Sequence, residues 1–145
     1  MSRATIPLRR HPDGVFIPEF LVRVGAGDRS RLLTALLDTG ATYTLANRSI
    51  ATRLGLTWDQ GARVLIQFGG SKRPVPAYRH DLTASVLQEG SQFPVLQFEQ
   101  VAVHFVDASL PGDRILLGQR DWLERMRLVQ RNQGDRPFLI LDTET

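Results

Sequence analysis

The stretch that decides the fold runs from residue 34 to residue 42 and reads Thr34-Ala35-Leu36-Leu37-Asp38-Thr39-Gly40-Ala41-Thr42. It places one acidic residue, Asp38, between an apolar strand and a tight turn of small residues. The apolar run predicts that Asp38 is carried into the protein interior, where a carboxylate can perform acid–base chemistry. Thr39 and Gly40 let the chain turn sharply and offer a hydroxyl and a backbone N–H to that carboxylate.

The motif occurs once in the 145 residues. Splitting an amide with water needs a base and a group that protonates the carbonyl oxygen, and two carboxylates held about 3 Å apart supply both by sharing a proton. Residues 139–145 repeat part of the motif, Asp142-Thr143, but Glu144 occupies the position of the glycine. We therefore expect the second carboxylate to be Asp38 of another copy, related by a twofold axis in a homodimer.

Length and composition favour a single-domain globular protein. The chain has 42% hydrophobic and 23% charged residues, so it can bury a sizeable core. We expect a basic N-terminal tail over residues 1–12 and one domain over residues 13–145. Cysteine is absent, which excludes disulfides and thiol catalysis. No apolar run approaches the ~20 residues of a membrane helix, and the N-terminus lacks a signal-peptide core, so we expect a soluble, cytoplasmic protein.

The positive charge is almost entirely arginine, since Lys72 is the only lysine among 18 basic residues. The arginines cluster at Arg9-Arg10 and within residues 120–136, where acidic residues interrupt them. Solvated faces are favoured over a phosphate-binding track, and we expect no nucleic-acid or membrane partner.

Two groups of residues that contain histidine suggest other kinds of site, a serine-hydrolase site and a metal site, but neither fits the sequence well. His80, Asp81 and Ser85 lack the glycines of a nucleophile elbow and fall along one predicted strand. His80, His104 and Asp107 match no metal-ligand spacing, so we expect no metal and no cofactor.

The pattern along the chain predicts a mostly β fold, a closed or nearly closed barrel with two short helices. One helix is capped by Asn47, and the other follows Gly118 and places Trp122, Leu123 and Met126 on one face. Strand pairs are predicted over 15–24 with 31–37, 64–68 with the stretch after 73, 78–87 with 93–106, and 127–131 with 137–141.

The order of these parts resembles the retropepsin-like aspartic proteases, in particular their single-lobed bacterial members. The resemblance covers about residues 15–141 and depends on the Asp38 turn, a glycine-tipped hairpin, and Ile115-Leu116-Leu117-Gly118 followed by a helix. It implies an acid-protease barrel with one lobe per chain, and a homodimeric endopeptidase acting on peptide or protein substrates.

The resemblance also implies a role for each matching residue. Asp38 would be the catalytic carboxylate, Thr39 would join the two turns of the dimer, and Gly40 with Ala41 would offer backbone to the substrate. The flap that closes over a peptide would consist of Phe68, Gly69, Gly70 and Ser71. The apolar support behind the turn would consist of Leu116, Leu117 and Gly118.

Two features depart from the viral relatives of this family, in which the supporting glycine is followed directly by arginine and then by Asn or Asp. Gln119 separates Gly118 from Arg120-Asp121, and Pro74 and Pro76 imply an edge or irregular return strand after the flap. The alternative function is a dimeric peptide-binding or interaction module of the same fold that catalyses no reaction.

Overall fold

A computed structural model of the protein describes residues 2–67, 73–88, 90–108, 110–120, 122–131 and 137–143. Most of these residues form strands. The strands are β1 (Ser2–Pro7), β2 (Arg9–Arg10), β3 (Phe16–Ile17), β4 (Glu19–Ala26), β5 (Arg29–Leu37), β6 (Leu45–Asn47), β7 (Ala62–Ile66), β8 (Val75–Leu87), β9 (Pro94–Val106), β10 (Arg114–Leu117), β11 (Arg127–Arg131) and β12 (Phe138–Thr143). The helical segments are α1 (Arg48–Arg53) and two single 3-10 turns, Trp58–Gln60 and Leu123–Arg125. None of the helices in the described ranges has the length and apolarity to span a membrane.

Six of the strands close into a barrel, as the sequence predicts. Their order is β4-β5-β10-β6-β9-β8, and β8 pairs back onto β4 to complete the ring, while β7 extends from β8 outside it. The contacts of β5 with β10 and of β6 with β9 are parallel, and the others in the ring are antiparallel. Parallel contacts bring the carboxyl ends of two strands side by side, which is how residues distant in sequence meet at the site described below.

Alternation along β4 and β5 builds the core of the barrel. Successive side chains of a strand point to opposite faces, so Val22 and Val24 of β4 and Leu33 and Ala35 of β5 are buried inside. The largest fully buried side chain among the described residues, Trp122, belongs to the same core cluster, and its ring centre lies 5.8 Å from that of Phe98.

The helix predicted after Asn47 is present as α1. The Asn47 side-chain oxygen accepts the backbone N–H of Ser49 at 2.8 Å, and its amide nitrogen donates to the carbonyls of Ala108 (2.7 Å) and Leu110 (3.1 Å). This residue therefore both caps the helix and holds the chain that leaves β9.

The second predicted helix is only one 3-10 turn long. Trp122, Leu123 and Met126 are buried as expected, but Met126 already has extended backbone angles, φ −125° and ψ 142°. The chain straightens there because β11 begins at the next residue and pairs with β12.

Pro76 in β8 occupies an edge position, as the two prolines predict. Pro76 faces Leu65 of β7, and pairing of β8 with β9 begins one residue later, at Ala77. Pro76 therefore lies where β8 has a neighbour on one side only.

The prediction of an N-terminal tail over residues 1–12 is wrong. Residues 2–7 form β1, which pairs antiparallel with β12 from Ser2↔Thr143 to Pro7↔Phe138. Ala4 and Ile6 are buried while the residues beside them are exposed, so this short alternation forms a strand despite the surrounding arginines.

An ion pair ties β1 to β12. The Arg3 guanidinium donates to the Asp142 carboxylate at 2.6 and 3.1 Å. That hydrogen bond holds the pKa of the Asp142 carboxyl below its ordinary value, against the opposing effect of burial. The acidic residue of the partial C-terminal repeat of the motif therefore belongs to the terminal sheet and has an arginine partner.

Candidate active site

Asp38 stands at the carboxyl end of β5, beside the end of β10. Leu36 and Leu37 pair in parallel with Leu116 and Leu117. The Asp38 backbone N–H then donates to the Leu117 carbonyl at 3.0 Å. The support segment named in the sequence thus lies directly against the strand that delivers the acidic residue.

The turn after Asp38 closes on its own carboxylate. The Gly40 N–H donates to Asp38 Oδ1 at 3.2 Å, and the Ala41 N–H donates to the Asp38 carbonyl at 3.1 Å. Aspartate favours such turns because its short side chain reaches the backbone two residues on. One carboxylate oxygen is therefore held by a backbone donor within the chain.

Asp38 is half-buried in the single chain and not fully enclosed as the apolar run predicts. Thr39 and Gly40, which follow it, are exposed. The reason is that β5 ends at the rim of the barrel, so the carboxylate faces an open cleft and not the core.

The lack of a side chain at Gly118 allows the chain after β10 to pack directly against the backbone of Tyr43. A side-chain carbon at this position would lie 2.3 Å from the Tyr43 carbonyl oxygen and 2.4 Å from its carbonyl carbon. The Gly118 N–H donates to the hydroxyl of buried Thr44 at 3.1 Å. Only glycine fits this contact, since the obstructing atoms are backbone.

Two residues that the sequence did not assign to the site hold the turn from the other side. The Gln119 N–H donates to the Ala41 carbonyl at 2.9 Å, and the Arg120 N–H donates to the Thr42 carbonyl at 2.9 Å. The Gln119 side chain adds a third bond, from Nε2 to the Thr39 carbonyl at 2.7 Å. The available signal was the departure at Gln119 from the viral pattern.

The turn opens into a cleft of about 480 Å³. Its floor is the turn, and one wall is the partly apolar strand β7, where Leu65 is 56% exposed. Among the described lining residues, Asp38 carries the only carboxylate, and the lining consists of Asp38, Gly40, Ala41, Thr42, Tyr43, Leu45, Leu65, Ile66 and Gln67. The predicted flap residues Phe68, Gly69, Gly70 and Ser71 lie outside the described residues.

Arg120 places a positive charge at the rim of this cleft. Its guanidinium lies 5.7 Å from the centre of the Tyr43 ring, and Tyr43 in turn contacts the ring of buried His104 at 4.6 Å. A cation over an aromatic face is held by the ring quadrupole. Tyr43 therefore contacts a cation and a second aromatic ring where it lines the cleft.

His80 and Asp81 make hydrogen bonds within the fold. A His80 ring nitrogen is 2.9 Å from the Trp58 carbonyl, and Asp81 accepts from Arg79 and Gln100. In the part of the chain that the structure describes, no three His, Cys, Asp or Glu side chains are grouped as a metal site.

Several arginines of the C-terminal third are also engaged within the fold. Arg125 donates to the Gln100 carbonyl, Arg127 faces Asp142 across the sheet, and Arg131 lies over the ring of Phe138. These contacts explain part of the arginine content without a nucleic-acid partner.

Comparison with known proteins agrees with this geometry. The family described as "Aspartyl protease" matches residues 22–120. A retropepsin-like aspartic protease from Rickettsia conorii has 22% identity and a TM-score of 0.57, over 96% of this chain and 90% of that chain. The protease of EIAV, solved with an inhibitor, has 21% identity and a TM-score of 0.46, over 74% of this chain and 86% of its own. No curated sequence matches the chain.

Proposed function

Because the chain belongs to the aspartyl protease family, whose pattern covers residues 22–120, we propose that it is a homodimeric aspartic endopeptidase. Two Asp38 carboxylates, one from each copy, activate a water that hydrolyses a peptide bond of the substrate. The observation that carries this proposal is the position of Asp38. It is the only carboxylate among the described lining residues of an open cleft, on a turn clamped by β5 and β10.

The chemistry needs the pair because each carboxylate has a different task. The ionised one takes a proton from the attacking water, and the protonated one donates its proton to the carbonyl oxygen of the scissile bond. The reaction ends with a free carboxylate and a free amine on the two peptide products.

Exposure of the turn supports the second copy. Thr39 and Gly40 are exposed and Asp38 is half-buried in the single chain. A twofold partner on this turn brings the two carboxylates together, and two such groups about 3 Å apart cannot both ionise, so they share one proton. In this arrangement the Thr39 hydroxyls bond across the interface, while Gly40 and Ala41 present backbone to the peptide. The segment from Phe68 to Ser71 closes over it as the flap, and Leu116, Leu117 and Gly118 support the turn from behind.

The decisive experiment replaces Asp38 by asparagine. Asp38→Asn keeps the size of the side chain and removes the base, so we expect peptide cleavage to fall by at least about 100-fold while the dimer persists. Asp28→Asn is the matched control, because Asp28 is an exposed acid in the turn at the opposite end of β5. It should cleave like the wild type. Cleavage of a peptide library is measured from about pH 3 to pH 8, and mass in solution by light scattering.

Each result decides between specific alternatives. Undiminished cleavage by Asp38→Asn contradicts the mechanism. A wild type that binds peptides but cleaves none at any pH supports the alternative, a dimeric peptide-binding module. The dimer itself is tested by dilution: activity per chain should fall as the dimer dissociates, and full activity in a monomeric sample contradicts a shared site.

A further inference from the structure

A continuous chain of hydrogen bonds links Gln119 to the carboxylate of Asp38. Gln119 Nε2 donates to the Thr39 carbonyl at 2.7 Å. The same peptide group, which joins Thr39 to Gly40, donates its N–H to Asp38 Oδ1 at 3.2 Å. The side chain of Gln119 thus acts on the reacting carboxylate through a single peptide unit.

The amide of Gln119 can bind here in one orientation only. A backbone carbonyl accepts and never donates, so the nitrogen of the side-chain amide, and not its oxygen, faces Thr39. The backbone of Gln119 is itself fixed by its bond to the Ala41 carbonyl at 2.9 Å. The side-chain donor of Gln119 is therefore attached to a backbone that is itself hydrogen-bonded to the turn.

The peptide between Thr39 and Gly40 needs this support. Both residues are exposed, so packing does little to fix the plane of their peptide group. Bonds at both ends of that group hold its plane, and hydrogen bonds in series polarise one another, which strengthens the N–H as a donor. A donor to a carboxylate favours the ionised form over the protonated form.

We propose that Gln119 is a positioning residue of the site, which holds the Thr39–Gly40 peptide so that its N–H remains on Asp38. This inference deepens the proposed protease function and rests on it. Gln119 touches neither water nor substrate in this role. It keeps the backbone donor in place on the carboxylate.

Two substitutions at Gln119 should differ in their pH dependence. Gln119→Leu keeps the bulk and removes the donor at every pH, so kcat/KM should fall about 3- to 10-fold throughout the active range. Gln119→Glu can donate to Thr39 only while protonated. It should match the wild type below about pH 4 and lose activity above it, as the new carboxylate ionises. Gln60→Leu, at an exposed glutamine in the first 3-10 turn, should change neither.

A second measurement does not depend on activity. The amide resonance of Gly40 in a ¹⁵N spectrum should shift upfield in Gln119→Leu relative to the wild type, with unfolding temperatures within about 2 °C of each other. If the wild type cleaves nothing, the proposed function fails, yet the Gly40 resonance still reports on Gln119. An equal loss of activity at every pH in both variants, or an unchanged Gly40 resonance in Gln119→Leu, overturns the positioning role.

Discussion

Replacement of Gly118 by alanine tests whether the close contact behind the Asp38 turn is as tight as the structure has it. The new methyl carbon would lie 2.3, 2.4 and 2.8 Å from the carbonyl oxygen, carbonyl carbon and nitrogen of Tyr43. All three are backbone atoms, and Tyr43 is followed by Thr44 and Leu45, which are buried. Relief therefore requires the ends of β6 and β10 to move apart.

The expected cost follows from the number of atoms that must move. Overpacking of a rigid core site costs about 1–3 kcal/mol, and a contact under 3 Å with three backbone atoms of Tyr43 belongs at the upper end, about 3 kcal/mol. The entropy of unfolding is about 2.1 cal/mol/K per residue, hence about 0.3 kcal/mol/K for 145 residues. Gly118→Ala should therefore lower the unfolding temperature by about 10 °C.

The assay is thermal unfolding by circular dichroism at one fixed protein concentration, since a dimer's unfolding temperature depends on concentration. Gly112→Ala is the matched control. Its added carbon would meet only side-chain atoms, the nearest being the Ser49 hydroxyl at 3.4 Å, so we expect no loss and a gain of up to about 1 kcal/mol. If Gly118→Ala unfolds within about 3 °C of Gly112→Ala, the inferred contact with Tyr43 is wrong.

Three further substitutions test the polar contacts around the site and the terminal sheet. Thr44→Val removes the only acceptor described for the Gly118 N–H and should cost about 1–3 kcal/mol in urea unfolding, whereas a loss under about 0.5 kcal/mol would mean that this amide has another acceptor. Asn47→Ala should cost about 2 kcal/mol, and Asn47→Asp should not restore it, because aspartate keeps the helix cap but sets a carboxylate against two carbonyls; full recovery by aspartate would contradict the double role. Arg3→Gln should lower the free energy of unfolding near neutral pH. This loss relative to the wild type should shrink as pH falls below 3.8, the ordinary pKa of Asp142, because a lowered pKa contributes stability that is lost on protonation. A deficit independent of pH would refute that linkage.

The sequence predicted the parts of the fold whose signals are local. Alternating apolar residues with glycine turns located the hairpins, and Asn47 marked the start of α1. Asp38 and Gly118 stood out in the sequence because one supplies a carboxylate and the other lacks a side chain. Their roles in a site stay a prediction.

The parts that sequence reasoning missed depend on contacts between distant residues. β1 is a strand only because β12 pairs with it, and six residues rich in polar side chains give no such signal by themselves. Tyr43 and Leu65 line the cleft through the curvature and register of the barrel, which one sequence cannot fix. Gln119 was noticed as an irregularity, but its bond to Thr39 depends on a turn 80 residues earlier in the chain.

The pairing of β1 with β12 also governs the order in which the protein can fold. The two ends of the Arg3–Asp142 bond are 139 residues apart, so β1 leaves the ribosome long before its only described sheet partner exists. Contacts this distant in sequence slow folding, and a strand that waits alone offers its unpaired edge to other chains. The exposed charge of Arg3 and the missing N–H of Pro7 are the features that keep such an edge from aggregating. The terminal sheet can therefore be completed only after residues 138–143 have been synthesised.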